Sequence, residues 1–217
     1  MKRLWILVFA CLLVLPLHAQ QERPSSTPYA GDLSIFEYPD RDKKLQIDRV
    51  MDLLGIRPGK NVADLGAGSG WFTVRAARRV GPHGTVFAED INPQSIRYID
   101  ERAKKENLTN VKTVLGTPDD PRLPQASVDA LLMLKVYHEI AHAIPVMKAL
   151  HASLRPDGVI GIIDRNGRGD DHGLNRDVVI REMKEAGYKL SASFDFTKAD
   201  GQDYFLIFRQ TPVSLRR

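Results

Sequence analysis

The stretch VADLGAGSGWFT, Val62 to Thr73, sets three glycines at alternate positions directly after a short apolar run that closes on a carboxylate. Glycine at Gly66, Gly68 and Gly70 strips the backbone of the side chains that would keep a ligand at a distance, and it permits the left-handed turns that a sharp reversal needs. Asn61 to Leu65 in front reads as a strand and the residues from Trp71 onward as a helix. The loop therefore stands where a strand hands over to a helix, and in a doubly wound sheet ligands bind at that end of the strands. The spacing is G-x-G-x-G. A dinucleotide fingerprint needs glycine where Trp71 stands, which disfavours NAD, and the Gly-Lys-Ser/Thr of a phosphate-binding loop is missing.

Working outward, Ile47, Val50, Met51 and Leu54 recur at i, i+3, i+4 and i+7, one face of a helix that ends before RPG at 57–59. Downstream, TVFAED (85–90) reads as a strand, and Pro93 to Glu106 as a helix with Ile96, Ile99 and Ala103 on one face. VKTVL (111–115) and VDALLML (128–134) read as strands, followed by a helix over about Glu139 to Leu154, the turn RPDG and the strand VIGIID (159–164). Such alternation means parallel strands with crossover helices on both faces of the sheet. The end differs: a helix over about Asp177 to Ala186 leads to YKLSASFDF and, after the short TKADGQ, to DYFLIFRQ. Two strands joined so briefly form an antiparallel hairpin, here at one edge of the sheet. No internal repeat interrupts the pattern.

The chain has 217 residues, 43% hydrophobic and 27% charged, the composition of one ordinary globular domain. Its first residues stand outside that domain. MKR precedes the apolar run LWILVFACLLVLPL and then HAQ, with the small Ala19 placed for cleavage, which reads as a secretory signal over residues 1–19. The run is shorter than the roughly 20 apolar residues that span a bilayer, although an uncleaved signal would leave an anchor with the domain on the outer side. Residues 20–40, rich in Pro, Ser and Gly, read as a linker that becomes ordered near Ile35 and Phe36, so the domain spans 41–217. Cys11 is the only cysteine, and the mature chain has no thiol for a disulfide, a nucleophile or a metal. Losing Lys2 and Arg3 lowers the formal charge from +4 to +2, too balanced for a nucleic-acid partner.

Asp90 closes the second strand about twenty residues after the glycine loop, where a carboxylate can accept both hydroxyls of a ribose. Asn92 can cap the helix that begins at Pro93 without help from Asp90. Glu89 is turned the other way by the alternation of a strand.

With VADLGAGSGWFT, VFAEDINP and LPQASVDALLMLKVYHEI followed by LRPDGVIGIID, the sequence from about 42 to 210 resembles the class I S-adenosylmethionine-dependent methyltransferases. It looks most like the small-molecule branch that includes the ubiquinone and menaquinone C-methyltransferases. The resemblance implies an α/β, doubly wound, seven-stranded and mostly parallel sheet, order 3-2-1-4-5-7-6, with strand 7 antiparallel. It implies S-adenosylmethionine as cofactor and methyl transfer to a small, partly apolar acceptor. Asp64 and the backbone of Gly66, Ala67, Gly68 and Gly70 would then hold the methionine end, with Asp90 on the ribose and Ile91 against adenine. Where the family usually carries an Asp for the adenine amino group this chain has Thr117, and Asp119 or Asp120 are the available substitutes. Lys135 to His138 would line the cleft beneath the methyl group.

Methyl transfer from a sulfonium asks the protein mainly to hold the acceptor in line and exclude water. A base is needed only where the acceptor must lose a proton, and His138 and Tyr137 are the candidates; their plainer roles are a helix cap and a packed aromatic. HEIAH at 138–142 also spells a helical zinc signature. Three features count against a zinc hydrolase: His138 lies at or before the start of the helix, Pro145 follows closely, and no third ligand stands at the extended spacing. The loop GRGDDHG (167–173) offers Asp170, Asp171 and His172 as ligands, or is a solvated turn beside the acceptor. No resident metal is expected. A non-catalytic nucleoside-binding module of the same fold stays open as well, because an exported enzyme would need a cofactor made in the cytoplasm.

Overall fold

The computed structural model describes residues 23–197 and 202–212; the expected signal lies outside them. Helices α1 (Arg41–Leu45) and α2 (Ile47–Leu53) lead to strand β1 (Asn61–Leu65). Next come α3 (Trp71–Val80), β2 (Thr85–Asp90), α4 (Pro93–Lys105), β3 (Val111–Leu115) and β4 (Val128–Leu134). The chain ends with α5 (Ala143–Ser153), β5 (Leu154–Arg165), α6 (Arg176–Glu185), β6 (Tyr188–Phe194) and β7 (Asp203–Gln210). The seven strands form one sheet in the order β3-β2-β1-β4-β5-β7-β6. β1 to β5 pair in parallel, and β7 runs antiparallel to both β5 and β6. This is the topology that the resemblance implies.

The strands carry apolar residues on successive positions because both faces of the sheet are covered. Ala63, Leu65, Phe87, Leu131, Met133, Ile160 and Ile162 face α5 and α6, while Val62, Val86, Ala130, Leu132 and Val159 face α2 and α3. The helix expected around Ile47 is real but shorter at its start. Gln46 takes left-handed backbone (φ 48) and separates α1 from α2, and its side chain donates to the Phe196 carbonyl. Ile47, Val50, Met51 and Leu54 are all buried, as their spacing predicts. Asn92 caps α4 by accepting from the Gln94 N–H, with Pro93 at the first helical position. RPDG lies within the span of β5, whose pairing with β4 is irregular between Val128 and Ala130. The helix expected from Glu139 begins at Ala143, after a 3-10 turn at Tyr137–Glu139. Among the described residues no helix is long and apolar enough to cross a membrane.

Candidate active site

β1, β2, β4 and β5 deliver polar side chains to the same edge of the sheet: Asp64, Glu89 with Asp90, His138 and Asp164. Asp64 is buried and accepts from the Thr73 hydroxyl at 2.6 Å. Burial pushes its carboxyl up to about 6, against the opposing pull of the Thr73 bonds and the Arg41 charge. Asp90 accepts from the Gly68 N–H and the Asn92 N–H, both at 2.8 Å, so it holds the glycine loop itself. Burial raises it too. Glu89 accepts from the Gly66 N–H at 3.4 Å and is pushed up to about 8, by burial first and by the neighbouring Asp90 charge second.

The loop's three glycines serve different ends. Gly66 (φ 69) leaves room for Val136, whose Cβ would stand 3.0 Å from an added methyl. At Gly68 (φ 55) an added Cβ would meet only Phe36, at 3.6 Å, so the space there opens on the cavity. Gly70 (φ 71) precedes α3 and packs on Ile99; it does not line the cavity. That cavity measures about 1200 Å³. It exceeds the ~1,000 Å³ upper range for one drug-sized ligand and leaves room for a cofactor beside an acceptor.

Residues 23–40, expected as a linker, form a strap across this cavity. At its start Arg23 pairs with Glu182 at 2.8 Å and donates to the Ile140 carbonyl at 2.7 Å. The Ser26 N–H donates to the His138 carbonyl, and its hydroxyl donates to the Gly169 carbonyl and accepts from the His172 N–H. At the far end Glu37 accepts from the Ser69 hydroxyl and pairs with Arg102. Arg41 lies 4.3 Å over the Trp71 ring and donates to the Phe36 carbonyl. Its Nε is buried with no hydrogen-bond partner among the described residues, in a side chain that lines the cavity.

Also on the cavity wall, His138 is 4% exposed. Its Nδ1 stands 2.9 Å from Asp164, which is wholly buried. With Nδ1–H donating to that carboxylate, Nε2 is the ring nitrogen that faces away from Asp164. Glu139 Oε1 lies 3.9 Å from that nitrogen, and burial raises the carboxyl to about 7 although His138 draws it down. The His172 ring stands edge-on to His138, centroids 5.9 Å apart.

The structure thus gathers Asp64, Gly66, Ala67, Gly68, Asp90, Ile91, Thr117, Lys135 and His138 around one cavity. Gly70 does not line it, and two further expected residues, Tyr137 and Asp119, turn elsewhere. Tyr137 is fully buried and donates to Glu182 at 3.0 Å away from the cavity, because its ring fills the core beneath α6. Asp119 pairs with His142 at 2.6 Å on the surface, and Thr117 is tied to the Asp120 carbonyl. Lys135 is on the cavity wall, yet its ammonium pairs with buried Asp203 on β7. Sequence reasoning set Glu89 aside as turned away and passed over Arg41, Glu139 and Asp164. Glu89 and Asp164 both carried a signal, a carboxylate at a strand end like Asp64 and Asp90.

Residues 62–158 match the family described as a methyltransferase domain. The chain is 36% identical over 115 residues to nocamycin O-methyltransferase of Saccharothrix syringae, covering 52% of this chain and 41% of that protein. It is 26% identical over 110 residues to demethylmenaquinone methyltransferase of Geobacillus stearothermophilus, covering 51% and 47%. The matched stretch is thus less than half the length of these curated relatives. Among solved structures, a SAM-dependent methyltransferase from Aquifex aeolicus shares the fold at a TM-score of 0.72 and 22% identity, over 82% of this chain and 98% of that one. Residues 62–158 thus match a methyltransferase domain, and the sheet order and the glycine loop agree with the fold of SAM-dependent methyltransferases.

Proposed function

We propose that the protein transfers a methyl group from S-adenosylmethionine to a small, partly apolar acceptor. The observation that carries this reading is a single cavity lined both by a glycine cradle with its acids and by His138, which Asp164 holds. The residues fit the cofactor. Gly66 and Gly68 leave the backbone bare, Asp64 and Glu89 offer carboxyls to its positive groups, and the orphaned Nε of Arg41 suits its carboxylate. Asp90, at the end of β2 beside the glycine loop, is the residue we assign to the ribose. The sulfonium supplies an activated methyl group, so the chain's own task is to orient the acceptor and keep water out. The strap does the latter. His138, fixed by Asp164 through Nδ1, lines the part of the cavity we assign to the acceptor, and Tyr29, Leu33 and Ile35 of the strap supply apolar wall. Relatives named for nocamycin and demethylmenaquinone support a small acceptor.

Calorimetry of purified protein with S-adenosylhomocysteine tests the cofactor half: stoichiometric binding is expected, and its absence would sink the reading. A screen of phenol, quinol, thiol and amine acceptors tests the other half, where methylation of RNA alone would overturn it. The sequence of residues 1–19 further supports export to the periplasm or beyond. Cell fractionation checks this, and a cytoplasmic protein with an intact N-terminus would refute it.

A further inference from the structure

His138, Glu139 and His172 each present one ligand atom, and the three atoms lie within 4.8 Å of one another. We infer that they form a site for a divalent cation of the zinc class at the acceptor end of the cleft. The donors are two imidazole nitrogens and one carboxylate oxygen. That set suits zinc and its first-row neighbours, whereas magnesium and calcium prefer shells of oxygen.

Several independent features point the same way. Asp164 holds the Nδ1 edge of His138 at 2.9 Å, the carboxylate–histidine support that fixes a ligating imidazole by its other nitrogen. The 3.9 Å between His138 Nε2 and Glu139 Oε1 is too long for a hydrogen bond. Two ligands bound at 2.0–2.2 Å to one ion stand roughly 3–3.5 Å apart, so a shift of less than about 1 Å closes the pair around a cation. His172 arrives from the loop after β5 in left-handed backbone (φ 55), with its N–H bonded to the Ser26 hydroxyl at 3.0 Å. All three side chains line the cavity, so the remaining coordination position opens on the space for the acceptor.

The site differs from the one that HEIAH spells. It uses His138 but takes its second histidine from GRGDDHG, while His142 pairs with Asp119. The part played in turnover rests on the proposed methyl transfer: the cation gives an acceptor oxygen or sulfur a Lewis-acid partner and holds it over the cleft. The existence of the site does not depend on that reading.

The test uses purified protein stripped with a chelator and titrated with Co²⁺, followed by visible absorption and metal analysis. S-adenosylhomocysteine binding is measured on the same samples. One cobalt per chain is expected, displaced by Zn²⁺. Glu139→Gln and His172→Ala should each weaken cobalt binding by about tenfold or more. Both variants should keep S-adenosylhomocysteine affinity, which shows that they fold, and His142→Ala should bind cobalt as the parent does. A parent protein that takes up no cobalt would overturn the site, and so would binding lost in His142→Ala but kept in His172→Ala. If S-adenosylhomocysteine fails to bind while cobalt binds as described, the methyltransferase reading falls and the cation site stands.

Discussion

Glu89 and Asp90 are neighbours in sequence and point to opposite faces of β2, yet both reach the same cavity because the strand ends there. Alternation predicted their opposition and hid their meeting. Glu89 is an acid whose folded pKa is raised, from 4.5 to about 8. The folded state therefore keeps a proton that the unfolded chain gives up, and stability is lost as pH rises through this window. Urea unfolding between pH 5 and 8 should show that fall, of the order of a few kcal/mol, and the neutral, isosteric Glu89→Gln should flatten it. The glycines divide by what an added methyl would touch. Gly66→Ala would drive a methyl into Val136 and should cost about 1–3 kcal/mol of stability by the same unfolding measurement. Gly68→Val should instead abolish S-adenosylhomocysteine binding in calorimetry, since its side chain fills cofactor space. Asp90→Ala should weaken binding by roughly 1.5–3 kcal/mol, the worth of a charge-assisted hydrogen bond. Of the site, the residues at strand ends were legible in sequence. That Tyr137 turns into the core was not legible, because YHE gives no sign of which side chain the 3-10 turn sends inward.

At the scale of elements the strap is the part that composition could not foresee. Its Pro, Ser and Gly content describes a segment without periodicity, and such a segment is held by individual contacts that leave no pattern: Arg23 to Glu182, Ser26 to Gly169 and His172, Glu37 to Arg102. Arg41 is the hinge between this strap and the domain, enclosed by Trp71, Tyr38 and Phe36. Arg41→Ala removes both the stacking and the bond to the Phe36 carbonyl. It should accelerate proteolytic cleavage between residues 23 and 40 and weaken S-adenosylhomocysteine binding, while Arg23→Ala should accelerate the same cleavage with cofactor affinity largely kept. Equal cleavage rates in all three proteins would mean that the strap is held by other contacts. The helices and strands, by contrast, were readable almost residue by residue, because their apolar spacing is set by burial on two faces of one sheet.

For the whole molecule, the parallel run up to β5 follows from alternation and the hairpin of β6 and β7 from its short connection, while the order of the strands was implied only by the family resemblance. The tie between the two halves did not show in sequence. Lys135, at the end of β4, reaches across β5 to Asp203 at the start of β7. Lys135→Met would leave that buried carboxylate unpaired and should cost about 2 kcal/mol, at the low side of such losses because the lysine is itself a third exposed. The acidic wall has a consequence for the molecule's exchange with its surroundings. Asp64 and Glu89 hold their protons to about pH 6 and 8 in the unliganded cleft. A ligand that brings a sulfonium and an ammonium to them lowers both values, so its entry expels protons into the medium. The heat of S-adenosylmethionine binding at pH 7 should then differ between phosphate and Tris by the buffers' own ionisation heats, and affinity should climb from pH 6 to 8. The uncharged sulfur of S-adenosylhomocysteine should expel fewer. Each catalytic cycle would on that account draw protons back as product forms, so that the spent cofactor is held less firmly than the fresh one and leaves of its own accord; identical heats in the two buffers would show that no such exchange takes place.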